Sequence, residues 1–395
     1  MLKLDDLLLI KSIGKGNFAE VFLTQKQNTN LLYATKKMER SRVEQRPLWD
    51  RLINEINILQ SVNHPNIVKY YDLKRSRNHY YLVTEYVNGG SLSSNLKKYI
   101  SMYHRAFPED IVQYLMKQIL DALNYLHSKK IIHRDLKLDN ILVNYPTEYD
   151  RQALNLKKCQ VKIIDFGFAT VLNGKLTFTA LGTPFNMDPV ILEQLSTGKP
   201  NGGYNEKVDI WSLGTLCYEM VVGHSPFSGT SMNELYQKVK KGDYVLPNTL
   251  SEEIASFIND MLQQNSEKRA TAGQLLNQRF IIYPTNTFHP VDVRTIQASY
   301  LPTGFINMKS KQPEKKNDRV MLWDIFLQPG LFNEVITNPM PVQIQPQIQP
   351  VMQMQPQPQP QPKMQFPGQE VQYIYQEPTN NYYYDQPQSP YTKYH

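Results

Sequence analysis

Near residue 85 the hydrophobic pattern changes period, and that change restricts the fold of this chain more than any single residue does. Before it, short runs rich in β-branched and aromatic residues recur between polar turns: Leu7 to Ile13, Ala19 to Thr24, Leu32 to Met38 and Tyr80 to Glu85. These read as a small antiparallel sheet. One helical pattern interrupts them, with Leu52, Ile53, Ile56 and Leu59 at i, i+1, i+4 and i+7 between Pro47 and the Asn63-His64-Pro65 break. After Glu85, the residues Ile111, Leu115, Ile119, Ala122, Leu123 and Leu126 mark a broad apolar stripe on a helix expected over 111–127. Further helices are expected over 208–222, 232–241 and 252–264. The expected class is therefore α+β with two lobes, an N-terminal antiparallel sheet carrying one helix and a larger, mainly helical C-terminal lobe.

Beyond about Asn286 the pattern fades, and residues 309–319 form a lysine-rich connector. From Asn338 onward Gln and Pro alternate, as in QPQPQPQP, and tyrosines cluster at 382–384. Such a segment has too few branched apolar residues to offset its ordering entropy, so disorder with polyproline II stretches is expected there. The organisation reads as a folded domain over 5–283, a connector over 284–337 and a Gln/Pro/Tyr-rich tail over 338–395. This division explains why 26 Pro and 25 Tyr stand against 18 Gly. It also places the formal charge of +7 on the domain and connector, as ordinary solvated surface, so no nucleic-acid partner is expected.

Cys159 and Cys217 are the two cysteines of the sequence, which excludes a disulfide scaffold and a structural zinc site. The start carries Lys3, Asp5 and Asp6 among its leucines, unlike the apolar core of a secretory signal. No stretch approaches the ~20 apolar residues that span a bilayer. A monomer in the cytoplasm is the simplest expectation.

Three groups of residues carry chemistry. The first is GKGNFAEV from Gly14, directly after an expected strand, where glycines let backbone N–H groups approach a phosphate. The second is Lys36 at the end of the strand YATK, with Glu55 nineteen residues later inside the interrupting helix. A lysine facing phosphates needs such a carboxylate to fix its position. The third is IHRDLKLDNIL at 132–142, followed by KIIDFG at 162–167. Its charged residues lie in loops squeezed between apolar runs, where ordinary surface charge is rare. Asn140 and Asp165, two oxygen ligands from different loops, suit Mg²⁺ shared with substrate phosphates. Asp135 is then left to accept a proton from an attacking alcohol, and Lys137 to neutralise charge on the transferred group.

In this order and context the set resembles the eukaryotic serine/threonine protein kinase family, over roughly residues 5–283, with HPNIV at 64–68 and DIWSLG at 209–214 also in place. The resemblance implies the bilobal kinase fold and transfer of the γ-phosphoryl group of ATP, with Mg²⁺, to Ser or Thr of protein substrates. It implies Asp135 as catalytic base with Lys137 beside it, Lys36 and Glu55 orienting phosphates, and Asn140 and Asp165 on the metal. Gly14, Lys15, Gly16, Asn17, Phe18, Ala19 and Glu20 would form the loop over the phosphates. Ile13, Val21, Ala34 and Leu142 would sandwich the adenine, with Thr84 as a small gatekeeper before a hinge containing Glu85 and Val87. Thr179 matches the activation-loop phosphosite, for which Arg134 and Arg51 would supply cations, and Thr183 matches the substrate-positioning threonine.

The chain also departs from the family pattern. Ala19 stands for the third loop glycine, and GTPFNMDPVIL at 182–192 puts Val190 where a glutamate normally pairs with the arginine matched by Arg269. An unpaired buried arginine is costly, so Asp188 or Glu193 is expected to replace that partner. The gap from Asn140 to Asp165 is 25 residues, longer than the usual hairpin, and residues 145–158 read as a surface insertion near the cleft. Ser91 stands where kinases that read arginine carry an acid, which leaves Asp139 and predicts a weaker demand for arginine upstream of the target.

Phrases such as KYYDLKRSRNHYYLVTEYVNGGSL are similar to the autophagy-initiating branch and to protist kinases. Phe332 to Val335 fits a short pattern for binding ubiquitin-like modifiers, and Ser389-Pro390 with the tail tyrosines fits contacts to peptide-binding modules. Two other readings stand beside an active kinase: a pseudokinase scaffold, which Val190 favours, and an adaptor driven by the tail.

Overall fold

Five strands build the first sheet, β1 (Leu7–Lys15), β2 (Ala19–Lys26), β3 (Leu32–Glu39), β4 (Tyr70–Arg75) and β5 (His79–Glu85), all antiparallel in the order β1-β2-β3-β5-β4. The computed structural model describes residues 4–16, 19–45, 48–172, 177, 182–197, 203–284, 291 and 293. All belong to one unit, Met1–Gln328, and the second unit, Pro329–His395, lies outside the described residues. Asn17, Phe18, Thr179 and the motifs assigned to the tail and the apolar stretch before it also lie outside them.

Between β3 and β4 the chain forms a one-turn helix α1 (Arg40–Val43) and then α2 (Leu48–Ser61). Leu52 and Ile56 of α2 meet Met38, Val43, Tyr80 and Leu82 in a small core. The sheet lobe thus carries a short second helix beside the expected one, too brief for periodicity to signal. Strand β4 was also not expected, because YYDLKR alternates poorly and its pairing with β5 slips between Tyr70 and Asp72.

The helical lobe opens with α3 (Leu92–Tyr103) and α4 (Glu109–Ser128), followed by the short strands β6 (Ile131–Ile132) and β7 (Ile141–Asn144). Helix α5 (Glu148–Gln152), β8 (Gln160–Ile163), β9 (Thr170–Val171) and α6 (Pro189–Thr197) come next. The lobe ends with α7 (Lys207–Val222), α8 (Met232–Lys241), α9 (Glu252–Met261), α10 (Ala272–Leu276) and α11 (Arg279–Ile282). Strand β6 pairs with β9, and β7 with β8, so two hairpin-like clamps hold the loops between them.

The stripe expected on α4 is buried, with Leu115, Ile119, Ala122, Leu123 and Leu126 inside the main core. Helix α7 is buried nearly all round, Trp211 included, as its continuous apolar run requires. Helix α9 stops at Met261, short of the expected 264, because the Gln263 carbonyl turns to accept from Arg269. Helix α3 was missed although Leu92, Leu96 and Ile100 are spaced by four. Ser91 caps it, accepting from the Ser94 N–H at 3.1 Å, and His104 ends it in a left-handed conformation, φ 55°.

The insertion at 145–158 is folded rather than loose. Tyr145 and Leu156 are buried, and α5 is capped by the Thr147 hydroxyl, leaving Tyr149 at 76% exposure as its outward side chain. Asn88 binds Tyr145 in both directions, and the Tyr145 hydroxyl donates to Asn95 at 2.8 Å. Tyr145 and Val143 crowd Gly89 so closely that a Cβ there would sit 2.4 Å from the Val143 carbonyl oxygen. The insertion is thereby wedged against the strand-to-helix crossing at 85–92.

Packing continues past Tyr283. Val291 is buried, its carbonyl accepts the Ala106 N–H at 3.2 Å, and the Val293 N–H donates to the His104 carbonyl at 3.2 Å. Among the described residues both cysteines are buried and free, and no helix is long and apolar enough to cross a membrane.

Candidate active site

Lys36 lies on β3 opposite Val21 of β2 and Leu82 of β5, which aims it into the cleft beneath the β1–β2 turn. Its Nζ meets Glu55 Oε2 of α2 at 3.2 Å. Burial, the largest influence, pulls the ammonium down, but Glu55 and Asp165 together hold it above the ordinary lysine value. Lys36 is therefore a fixed cation. In the β1–β2 turn, Gly16 N–H donates to the Ala19 carbonyl at 2.8 Å, and Lys15 pairs with Glu20. Among the described residues, a Cβ at Gly14 or Gly16 would meet nothing closer than 3.6 Å.

Ala34 pairs with Thr84 across β3 and β5, and the Thr84 hydroxyl reaches the Ala34 carbonyl at 3.5 Å. Val21 and Leu142 are half-buried, Val87 is buried and Ile13 is exposed. The Glu85 side chain turns away, to Lys162 Nζ at 2.8 Å and the Lys69 N–H at 3.2 Å. Thr84→Met should cost bulky ATP-competitive ligands at least about tenfold in affinity, about 1.4 kcal/mol, because the longer side chain at this position opposite Ala34 takes the room such ligands would use. A titration showing equal affinities would contradict this placement.

The loop between β6 and β7 carries the centre of the site. Asp135 is buried, and three groups orient its carboxylate: the Thr183 hydroxyl donates at 2.8 Å, Lys137 Nζ at 2.9 Å and Asn140 Nδ2 at 3.0 Å. Asn140 Nδ2 also donates to the Asp135 carbonyl at 2.9 Å, which leaves its Oδ1 as a free-facing acceptor. Lys137 further bridges to the Thr183 hydroxyl at 3.1 Å. Beneath this loop, Asp209 of α7 accepts the main-chain N–H groups of His133 and Arg134, both at 2.9 Å, and His127 Nε2. Burial, the largest influence on Asp209, pushes its carboxyl up, but His127 and His133 overcome this and hold it below the usual range. Asp209 stood inside the DIWSLG string without a role, since a carboxylate in an apolar run gives no sign of which main-chain groups it will bind.

Asp165 follows β8 with a left-handed backbone, φ 63°, a conformation that costs free energy for a non-glycine residue. Burial pushes its carboxyl up most, yet Lys36, His133, Lys137 and the Gly167 N–H together hold it below the ordinary aspartate value. It stands as an anion close to the Lys36–Glu55 pair. Among the described residues no group of three or more His, Cys, Asp or Glu is placed to hold a metal unaided. Asn140 Oδ1 and Asp165 are a two-oxygen donor set, which fits Mg²⁺ completed by phosphates and water.

Arg134 has φ 69°, and its guanidinium donates to the Phe168 carbonyl at 2.5 Å and reaches the Thr177 and Tyr204 hydroxyls at 3.5 Å each. Arg51 of α2 lies over the Phe168 ring at 4.6 Å. The two arginines expected to share one phosphate do approach the same residue.

Arg269 finds its partner in Asp188, Nη1 to Oδ2 at 2.5 Å, both fully buried. Glu193, the other candidate, instead accepts the Tyr236 hydroxyl at 2.8 Å. Asp188 has a second task, its Oδ1 accepting the Val190 N–H at 2.8 Å at the start of α6.

Glu219 of α7 was missed. Burial first and then Asp139 push its carboxyl up to about 7, with Lys97 of α3 opposing. Because this value exceeds the ordinary 4.5, the folded state binds more protons than the unfolded one between the two values. The associated stability is present below about 4.5 and lost as pH rises to about 7. Glu219→Gln should therefore flatten the melting temperature over this window relative to the wild type, and parallel profiles would contradict the placement.

The family model described as the protein kinase domain matches residues 8–281. The chain belongs to the protein kinase family. It is also 34% identical over 271 residues to a probable serine/threonine-protein kinase, fhkC, of Dictyostelium discoideum, covering 67% of this chain and 42% of that protein. The chain thus spans less than half the length of this relative. For a protein kinase domain, ATP use is implied, and the α+β fold with an N-terminal five-stranded sheet is the one observed.

Proposed function

We propose that the protein transfers the γ-phosphoryl group of ATP to Ser or Thr hydroxyls of protein substrates. The observation that carries this reading is the Asp135 carboxylate, held by Thr183, Lys137 and Asn140 in one loop and supported by Asp209 from below. A carboxylate so fixed accepts the proton of an incoming substrate hydroxyl. Lys137, already beside Asp135 and Thr183, places a positive charge where negative charge grows on the transferred group. Lys36, fixed by Glu55, positions phosphates under the β1–β2 turn, and Asn140 with Asp165 would hold Mg²⁺. Bound Mg²⁺ supplies charge neutralisation on the phosphates. ATP supplies the phosphoryl group.

The scaffold reading rested on Val190. The Asp188–Arg269 pair restores the missing contact from two residues upstream, so this departure no longer argues for a lost activity. For substrate choice, Asp139 helps push the Glu219 carboxyl up, so a basic substrate residue placed beside Glu219 would offset that effect. Ser91, the basis for expecting a weaker demand for arginine, caps α3. A peptide array should favour a basic residue upstream of the target, and Glu219→Gln should reduce the preference.

The test of the nucleotide reading is the thermal stability of the full chain with and without Mg²⁺ and a non-hydrolysable ATP analogue. The wild type should be stabilised in the presence of both, and Asp165→Ala should lose the Mg²⁺-dependent part. Stabilisation that ignores Mg²⁺ would contradict the assignment of Asn140 and Asp165. The cytoplasmic location and the autophagy-type role belong to this proposal as readings of the sequence motifs.

A further inference from the structure

We infer that Tyr145, the first residue of the 145–158 insertion, is a positioning residue for the nucleotide, which it serves by bracing the hinge over 85–91 through Asn88 and Asn95. The inference rests on the kinase reading above. Both strands that the insertion joins already touch the hinge. At its start, Glu85 meets Lys162 Nζ of β8 at 2.8 Å, and Lys162 pairs with Leu142 of β7. Further on, the Gly89 N–H donates to the Val143 carbonyl at 2.7 Å and the Val143 N–H to the Gly90 carbonyl at 2.9 Å. Ser91 then bridges Leu142 in antiparallel fashion. Leu142, one of the expected adenine contacts, thus sits on the strand to which residues 89–91 are stitched.

The peptide between Val87 and Asn88 lies outside that ladder, and the start of the insertion holds it. The Asn88 N–H reaches Asn144 Oδ1 at 3.4 Å, while the Asn88 side chain accepts the Tyr145 N–H and donates to the Tyr145 carbonyl, both at 2.8 Å. Across the hinge, the Tyr145 ring stands so close to Gly89 that a Cβ there would lie 2.7 Å from two of its carbons. The Tyr145 hydroxyl donates to Asn95 Oδ1 at 2.8 Å. Asn95 Nδ2 in turn donates to the Gly89 carbonyl at 2.9 Å and the Ser91 carbonyl at 2.7 Å. Tyr145 and Asn95 are each 1% exposed, so this relay from insertion to hinge runs through the protein interior.

Without the hydroxyl, the buried Asn95 oxygen loses its partner, and the amide that orders two hinge carbonyls is no longer fixed at both ends. One buried hydrogen bond shifts such a local equilibrium about fivefold. A nucleotide that binds the ordered hinge then binds more weakly by the fraction of molecules in which the hinge is disordered. Proton transfer at Asp135 belongs to another loop and is left alone. The expected signature is therefore weaker nucleotide binding at unchanged turnover.

Kinetics and calorimetric titration of the full chain test it. Tyr145→Phe should raise the KM for ATP and the dissociation constant of a non-hydrolysable ATP analogue about fivefold, with kcat within about twofold of the wild type. Asn88→Ala, which removes both bonds to the Tyr145 peptide, should move the two constants in the same direction. Tyr236→Phe is the matched control, because it deletes one hydroxyl bond, to Glu193, outside the hinge, and should leave both constants within about twofold. Unchanged nucleotide constants in Tyr145→Phe would overturn the inference while leaving the kinase reading in place. So would a rise that Tyr236→Phe shares, which would mark general loss of stability, or a fall in kcat at constant KM. A wild type that binds no nucleotide would overturn the kinase reading and this inference together.

Discussion

Asp188→Ala should destabilise the helical lobe by roughly 3 to 5 kcal/mol, the range for removing one partner of a buried ion pair. Arg269 would keep its bonds to the Gln263 and Lys207 carbonyls and its position over the Trp211 ring, but its charge would face no anion in a fully buried site. The same change removes the acceptor for the Val190 N–H at the start of α6. Asp188→Asn should cost less, because an amide oxygen can still accept that N–H. Glu193→Ala removes a hydrogen bond from Tyr236 and should cost about 1 kcal/mol. Chemical denaturation of the three variants measures the order, and equal losses for Asp188→Ala and Glu193→Ala would contradict the pairing.

Asp135→Asn should lower the turnover of phosphoryl transfer by roughly 10²- to 10⁴-fold, the usual worth of a positioned general base. The substitution is nearly isosteric, so the Thr183 hydroxyl keeps an acceptor and the loop keeps its support from Asp209. What is lost is the negative charge that holds Lys137 at 2.9 Å and that, in the proposed reaction, takes the proton. The effect should fall on kcat and leave the KM for ATP within a few fold, because the Lys36–Glu55 pair lies on other elements. A variant with a raised KM and unchanged kcat would assign Asp135 to binding instead.

The two-lobed fold was legible because its period change is long and regular, and the main site was legible because its charges sit in loops between apolar runs. Lys36 and Glu55, nineteen residues apart, do pair, whereas the bond from the Asn140 amide to Asp135 had no signal in the sequence. Other parts of the site were hidden for physical reasons. Asp209 and Glu219 lie in one apolar run, and their roles depend on which loops pack against α7. The choice between Asp188 and Glu193 is a matter of where the entry to α6 (Pro189–Thr197) and its second turn point each carboxylate, which spacing alone does not decide. Residues 145–158 read as surface because they are polar, yet Tyr145 and Leu156 bury their side chains and fold the insertion against Asn88 and Asn95.

Transfer of labelled γ-phosphoryl from ATP and Mg²⁺ to a mixed Ser/Thr protein substrate, followed by phosphoamino-acid analysis, tests the central claim most directly. The account predicts label on phosphoserine or phosphothreonine with the wild-type full chain, and none above background with Asp165→Ala. A folded wild type that transfers no label, or an Asp165→Ala variant that transfers as much, would contradict it.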